Sequence, residues 1–193
     1  MALVDRWGRQ EWVMADTGKL HLAATTDTPL WRFALALWQQ ESARELCLGL
    51  QQQGWSVTRL LCAGWLGRNG MPYTGREPAA VTEWRHNVTE SIRSLKKSLG
   101  KSDSLLTTLR EALARAELEA ERIELYRAWQ AISSVAPAEH RAADVTALLQ
   151  HNLRRAAPAS HAGSNEITEP MIQQLAQLMK ATGPVHQPQE SRA

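Results

Sequence analysis

The sequence has only two cysteines, Cys47 and Cys62, neither in a C-x-x-C pair nor beside a histidine at ligand spacing. That removes the basis for a disulfide framework or a cysteine-rich metal site, and both are expected to be reduced core residues. Long apolar runs are also missing. The longest, Phe33–Trp38 and Leu60–Leu66, fall far short of the ~18 residues a membrane span needs. The amino end, MALVDRWGRQEWVMADTG, spreads its charges and has no apolar h-region, so no secretory signal is expected and the cytosol is the expected compartment. A formal net charge of +2 lacks the excess of one sign that would by itself argue for nucleic acid. Neither G-x-x-x-x-G-K-[ST] nor G-x-S-x-G occurs, which takes away the sequence signals for a phosphate loop and a nucleophile elbow. No catalytic residue, metal or cofactor is therefore expected, and no internal repeat is seen.

What is present is amphipathic helix. Thr28 and Pro29 form a start signal, after which Trp31, Ala34, Leu35 and Trp38 share one face. A second helix carries Ala43, Leu46, Cys47 and Leu50 and is stopped by Gly54. A third begins at Ser56, carries Leu60, Leu61 and Trp65, and ends at Gly67 and an Asn-Gly turn. Pro78 reopens helix, and Val81, Trp84, Val88, Ile92, Leu95 and Leu99 then recur at helical steps up to Gly100. A long helix over about 104–133 follows, with Leu106, Leu109, Leu113, Ala116, Ala120 and Ile123 on one face. The short connection predicts that these last two helices form an αα-hairpin.

Residues 1–27 read as a flexible amino-terminal arm, in which Met14 offers an alternative start of translation. Residues 28–133 read as the helical domain, and 134–193 as a carboxyl extension with a linker and a short amphipathic helix. The expected fold is all-α: a compact bundle of about five helices ending in the long hairpin, with a partly helical extension. Trp31, Trp38, Leu46, Leu50, Leu60, Trp65, Trp84, Val88, Leu109 and Leu113 are the expected core.

Three features could carry a function. Arg85, Arg93, Lys96, Lys97 and Lys101 form a basic ridge along the first hairpin helix and its exit, suited to phosphates or an acidic partner. Glutamates on the second helix offer the simpler reading, in which opposite faces fix the pairing of the hairpin. The extension helix presents Met171, Ile172, Leu175, Leu178 and Met179 on one face, which suits equally a tethered helix entering a partner groove and a helix folded back on its own bundle. Glu83 and His86, with Glu117 and Glu121, are spaced as metal ligands, although no second Glu-x-x-His accompanies them.

Several ordered elements carry a resemblance. They are a W-x-F-x-L-x-x-(Y/W) opening at Trp31, Phe33, Leu35 and Trp38, a C-L-x-L-Q element at Cys47, Leu48, Leu50 and Gln51, and an A-E-L-x-A-E element over 116–121. A basic pair corresponds to Arg93 with Lys96 or Lys97, and Thr58 stands where the pattern has Asn. Over about residues 29–129 the chain resembles a family of small bacterial proteins catalogued only as a domain of unknown function. The resemblance implies a small all-α protein and brings no activity with it. The expected function is that of a non-enzymatic adaptor or regulator binding another cytosolic protein through the ridge or the extension helix. Binding of RNA or a ribonucleoprotein through the ridge comes second, and a metal or small-ligand enzyme third.

Overall fold

Capping residues decide where the helices begin. In the structure, a computed structural model that describes residues 26–100, 103–134, 144–158 and 166–182, the Thr28 Oγ1 accepts from the Trp31 N–H at 3.1 Å, and Pro29 occupies the first turn of α1 (Pro29–Trp38). Helix α2 is Glu41–Gln52. Ser56 caps α3 (Val57–Arg68) through the Arg59 N–H at 3.4 Å. The next helix runs as α4 (Ala79–Trp84), one π turn (Arg85–Thr89) and α5 (Glu90–Ser98). A 3-10 turn at Ser104–Leu106, capped by Asp103, leads into α6 (Thr107–Ser133). Asp144 caps α7 (Val145–Arg155) by accepting from the Thr146 and Ala147 N–H groups, and α8 is Thr168–Ala181. All regular structure among the described residues is helical, as expected.

The chain divides into two units. One ends at Gly75 and resumes with the C-terminal helices; the other begins at Arg76 and is the hairpin. This division differs from the expected helical domain over 28–133 with an appended extension, and the reason is packing. Helices α7 and α8 complete the core of the first unit, where Leu149, Leu153, Ile172, Leu175 and Met179 are fully buried beside Leu30, Leu37, Leu50 and Leu60. The expected arm, 1–27, lies almost wholly outside the described residues, with Met14 among them.

Small residues on α3 make that packing possible. A Cβ on Gly64 would fall 2.3 Å from the Met179 Sδ, and one on Gly67 would fall 2.9 Å from the Leu149 Cδ2 and 3.2 Å from the Leu149 Cα. At Gly67 the α7 backbone comes closer than a Cβ ordinarily allows, whereas at Gly64 the neighbour is the flexible end of the Met179 side chain. Two polar clamps then fix the approach. Asn152, fully buried, donates from Nδ2 to the Ala63 and Met71 carbonyls at 3.2 and 2.9 Å, and its Oδ1 accepts from the Tyr73 N–H at 2.8 Å. Arg59 donates to the Arg155, Ala156 and Ala157 carbonyls at 3.1, 3.1 and 3.3 Å, satisfying the last turn of α7.

Gly67→Ala should therefore destabilise the first unit by about 1–3 kcal/mol in urea, because the new methyl presses on the Leu149 side chain, the bonded Asn152 amide and the Leu149 backbone together. A change within about 0.5 kcal/mol, the range of an ordinary surface substitution, would show that the close approach is not needed.

Candidate functional site

The hairpin places charge where its sequence suggested hydrophobic core. A π turn, closed by the Glu90 N–H on the Arg85 carbonyl, adds a residue to one turn of the first helix. Steps of four drift by about 40° per step in a plain α-helix. The wider turn corrects the drift, so Val81, Arg85, Thr89 and Arg93 stay in line and face α6. Opposite them stand Glu124, Glu121 and Glu117.

The seam is densely paired. The Arg93 Nε donates to the Glu117 Oε1 at 3.0 Å, and its Nη2 to the Glu121 Oε1 at 2.8 Å. The Lys96 Nζ donates to the other Glu117 oxygen. Arg85 forks between Glu77, at 2.6 and 3.0 Å, and Glu124, at 2.7 Å, while the Thr89 hydroxyl donates to the second Glu124 oxygen at 3.0 Å. Glu117 is wholly buried, and Lys96 and Glu124 nearly so.

Three of the five predicted ridge residues, Arg85, Arg93 and Lys96, thus hold the hairpin together. Lys97 is exposed, and Lys101 lies outside the described residues. Of the two readings of the extension helix, the structure has the intramolecular one: Ile172, Leu175 and Met179 are buried in their own unit and Met171 and Leu178 are half-buried, so its apolar face is already covered. The four metal-spaced residues are not brought together. Glu83 and His86 are exposed, with His86 3.5 Å from Glu90, whereas Glu117 and Glu121 sit in the seam. Among the described residues no group of three or more His, Cys, Asp or Glu is placed to hold a metal. Burial pushes the Cys47 thiol up to about 12, which leaves no thiolate for chemistry near neutrality.

Because the charges take the seam, the apolar stripes are displaced to one side. The Trp84 Nε1 donates to the Ala120 carbonyl at 2.9 Å, and the Arg127 guanidinium lies 4.4 Å over the Trp84 ring. These contacts put the Trp84 stripe on the same flank as Ala120, and helical spacing continues that flank through Ala116, Leu113 and Leu109. Along it Val88, Ile92, Leu99 and Leu113 are only half-buried, while Leu95 and Leu109 are 53% and 49% exposed. At the hairpin tip Leu105 is 89% exposed. Of the expected core, Trp31, Trp38, Leu50 and Leu60 are buried; Leu46, Trp65, Trp84, Val88 and Leu113 are half-buried, and Leu109 is exposed. The flank is the feature that sequence reasoning missed. Its signal was present in the step-of-four series Arg85, Thr89, Arg93 facing Glu117, Glu121 and Glu124.

The seam has a built-in pH dependence. Burial tends to raise Glu117, but the hydrogen bonds and charges of Lys96 and Arg93 outweigh it and hold the carboxyl below its usual range. Burial likewise raises Glu121. There Arg93, shared with Glu117, opposes the effect too weakly, and the charges of Glu117 and Glu124 reinforce it, so this carboxyl is pushed up to about 7. A raised acid binds its proton more tightly folded than unfolded. Its contribution is full below its unfolded value and is lost as pH rises through about 7. Glu117 acts oppositely, losing its contribution as pH falls through its depressed value. Hairpin stability should decline between pH 5 and 8, by an amount on the order of 2–3 kcal/mol at most. Glu121→Gln should flatten that decline in urea melts, and an unchanged slope would remove Glu121 as its source.

The structure thus combines an all-helical chain, an ionic seam and an exposed apolar flank on the hairpin. No curated protein and no solved structure matches the chain. A family model described as "Protein of unknown function (DUF2390)" matches residues 29–128, more than half of the sequence, and the matched stretch runs from the first turn of α1 into the last turns of α6. The chain belongs to this family of unknown function.

Proposed function

We propose that the protein is a non-enzymatic adaptor or regulator that binds another cytosolic protein, and that it docks through the apolar flank of the hairpin. The observation that carries this reading is the exposure of Leu95, Leu105 and Leu109 on a helix pair in which Arg85, Arg93 and Lys96 are paired with glutamates across the seam. Large apolar side chains gathered on one surface mark interaction sites in soluble domains. The absence of any helix long and apolar enough to cross a membrane, among the described residues, accords with a protein partner in water.

This surface replaces the two expected from the sequence. Nucleic-acid binding through the ridge is disfavoured, since Arg85, Arg93 and Lys96 are neutralised by Glu77, Glu117, Glu121 and Glu124 and offer phosphates little.

Affinity capture from native lysate, with and without nuclease, tests the reading. A defined partner should survive nuclease and moderate salt, be lost with Leu95→Glu or Leu109→Glu, and be retained with Lys97→Glu. Recovery of nucleic acid that only Lys97→Glu abolishes would contradict it.

A further inference from the structure

We infer that the distal half of the hairpin, α5 with the first turns of α6, is an ionic latch that opens as a unit, pivoting on the π turn at Arg85–Thr89, and that a proton on Glu121 keeps it shut. Opening is local, with the proximal half of the hairpin left closed.

Apolar burial in the hairpin is confined to the proximal half. On α5 the one buried side chain is Lys96, while Ile92 and Leu99 are half-buried and Leu95 is exposed. On α6 the first buried residue is Glu117, and residues 107–116 contribute none. From there on Leu118, Ala120, Leu125 and Ala128 are buried, as is Val81 on α4. What ties the distal half down is polar: Arg93 to Glu117 and Glu121, Lys96 to Glu117, and Arg110, which donates to the Lys96 and Leu99 carbonyls. Segments with few buried apolar contacts open at a lower free energy than the whole domain.

The pivot is where such an opening needs it. Arg85 and Thr89, at the two ends of the π turn, both bond Glu124, and α5 begins immediately after. Helices bend at π turns. The anchored turn therefore lets α5 swing while Arg85 keeps its hold on Glu77 and Glu124.

Glu121 sets the state because its pairing is the weakest in the seam. Among the described residues it receives one hydrogen bond, from an Arg93 that it shares with Glu117, whereas Glu117 and Glu124 each engage both oxygens. The charged groups around it are Arg85, Arg93 and Lys96 on the first helix, Glu117, Arg122 and Glu124 on α6, and Glu77 before α4, while His86 and Glu90 pair at the surface. When Glu121 ionises, a further carboxylate joins Glu117 and Glu124 along the seam and no cation is added. Opening returns Glu121 to water. Its carboxyl, pushed up to about 7, holds the proton in the closed form at pH 6 and has released it at pH 8, so the stability of the latch is lost in that window. Leu95 and Leu109 lie on the distal half, so under the docking reading above, on which this consequence alone rests, the latch regulates the docking surface.

Hydrogen exchange of the full chain at pH 6 and pH 8, read by mass spectrometry and corrected for intrinsic rates, tests the latch without any partner. In peptides from 90–98 and 107–117 the opening equilibrium should rise about tenfold, the ratio for a carboxyl that titrates at about 7 closed and at about 4.3 open. Peptides from 119–133 should stay within about twofold. Glu121→Gln should remove the rise, and His86→Gln, at an exposed position, should keep it. No rise, a rise shared equally by the whole hairpin, or a rise that Glu121→Gln leaves intact overturns the inference.

Discussion

Glu117 has no access to water, and both of its oxygens are held, one by Arg93 and the other by Lys96. A carboxylate in that position is tolerable only while its cations remain, because removing one partner of a buried pair strands the other charge at a cost of about 3–5 kcal/mol. The rest of the hairpin follows from satisfying this group. Arg93 must lie in line with Arg85 and Thr89, which the π turn achieves. The seam then belongs to charge, and the apolar stripes must lie beside it. The interaction surface proposed for this protein is a consequence of where its ion pairs were placed.

The other unit is organised on the opposite principle. Its core is almost wholly apolar, and its helices meet through glycine, the buried Asn152 and the Arg59 clamp. The family model ends at residue 128, yet Gly64 and Gly67 of α3 are shaped by Met179 and Leu149, which lie beyond it. The matched stretch supplies three helices of this unit, and α7 and α8 supply the remainder of its core. With those helices removed, the small face of α3 would have nothing to pack against.

Most of the helix boundaries were legible in the sequence, because they are set by local chemistry: Thr28 with Pro29, Ser56, Pro78 and Asp103 each begin an element by satisfying or sparing free N–H groups. The hairpin topology was legible from a short connection. The orientation of its helices was not, because period alone cannot say whether an apolar or a charged stripe faces the neighbour when a helix carries both. The decisive feature, one extra residue in the turn at Arg85–Thr89, has no composition of its own. The placement of Ile172, Leu175 and Met179 was also out of reach. Their apolar spacing fits a partner groove and an intramolecular one equally well, and only the glycines of α3, far away in sequence, distinguish the two.

The central claim is that the buried ionic seam contributes substantially to holding the two hairpin helices together, beside buried apolar residues such as Val81 and Leu125. A double-mutant cycle on Lys96→Met and Glu117→Met, read as unfolding free energy of the full chain, tests it most directly. The account predicts that each single change costs about 3 kcal/mol, that the pair together costs far less than the sum, and that the coupling is therefore about 2–4 kcal/mol. Single costs below about 0.5 kcal/mol that simply add would mean that the seam carries no stability, and the displaced apolar flank would lose its explanation.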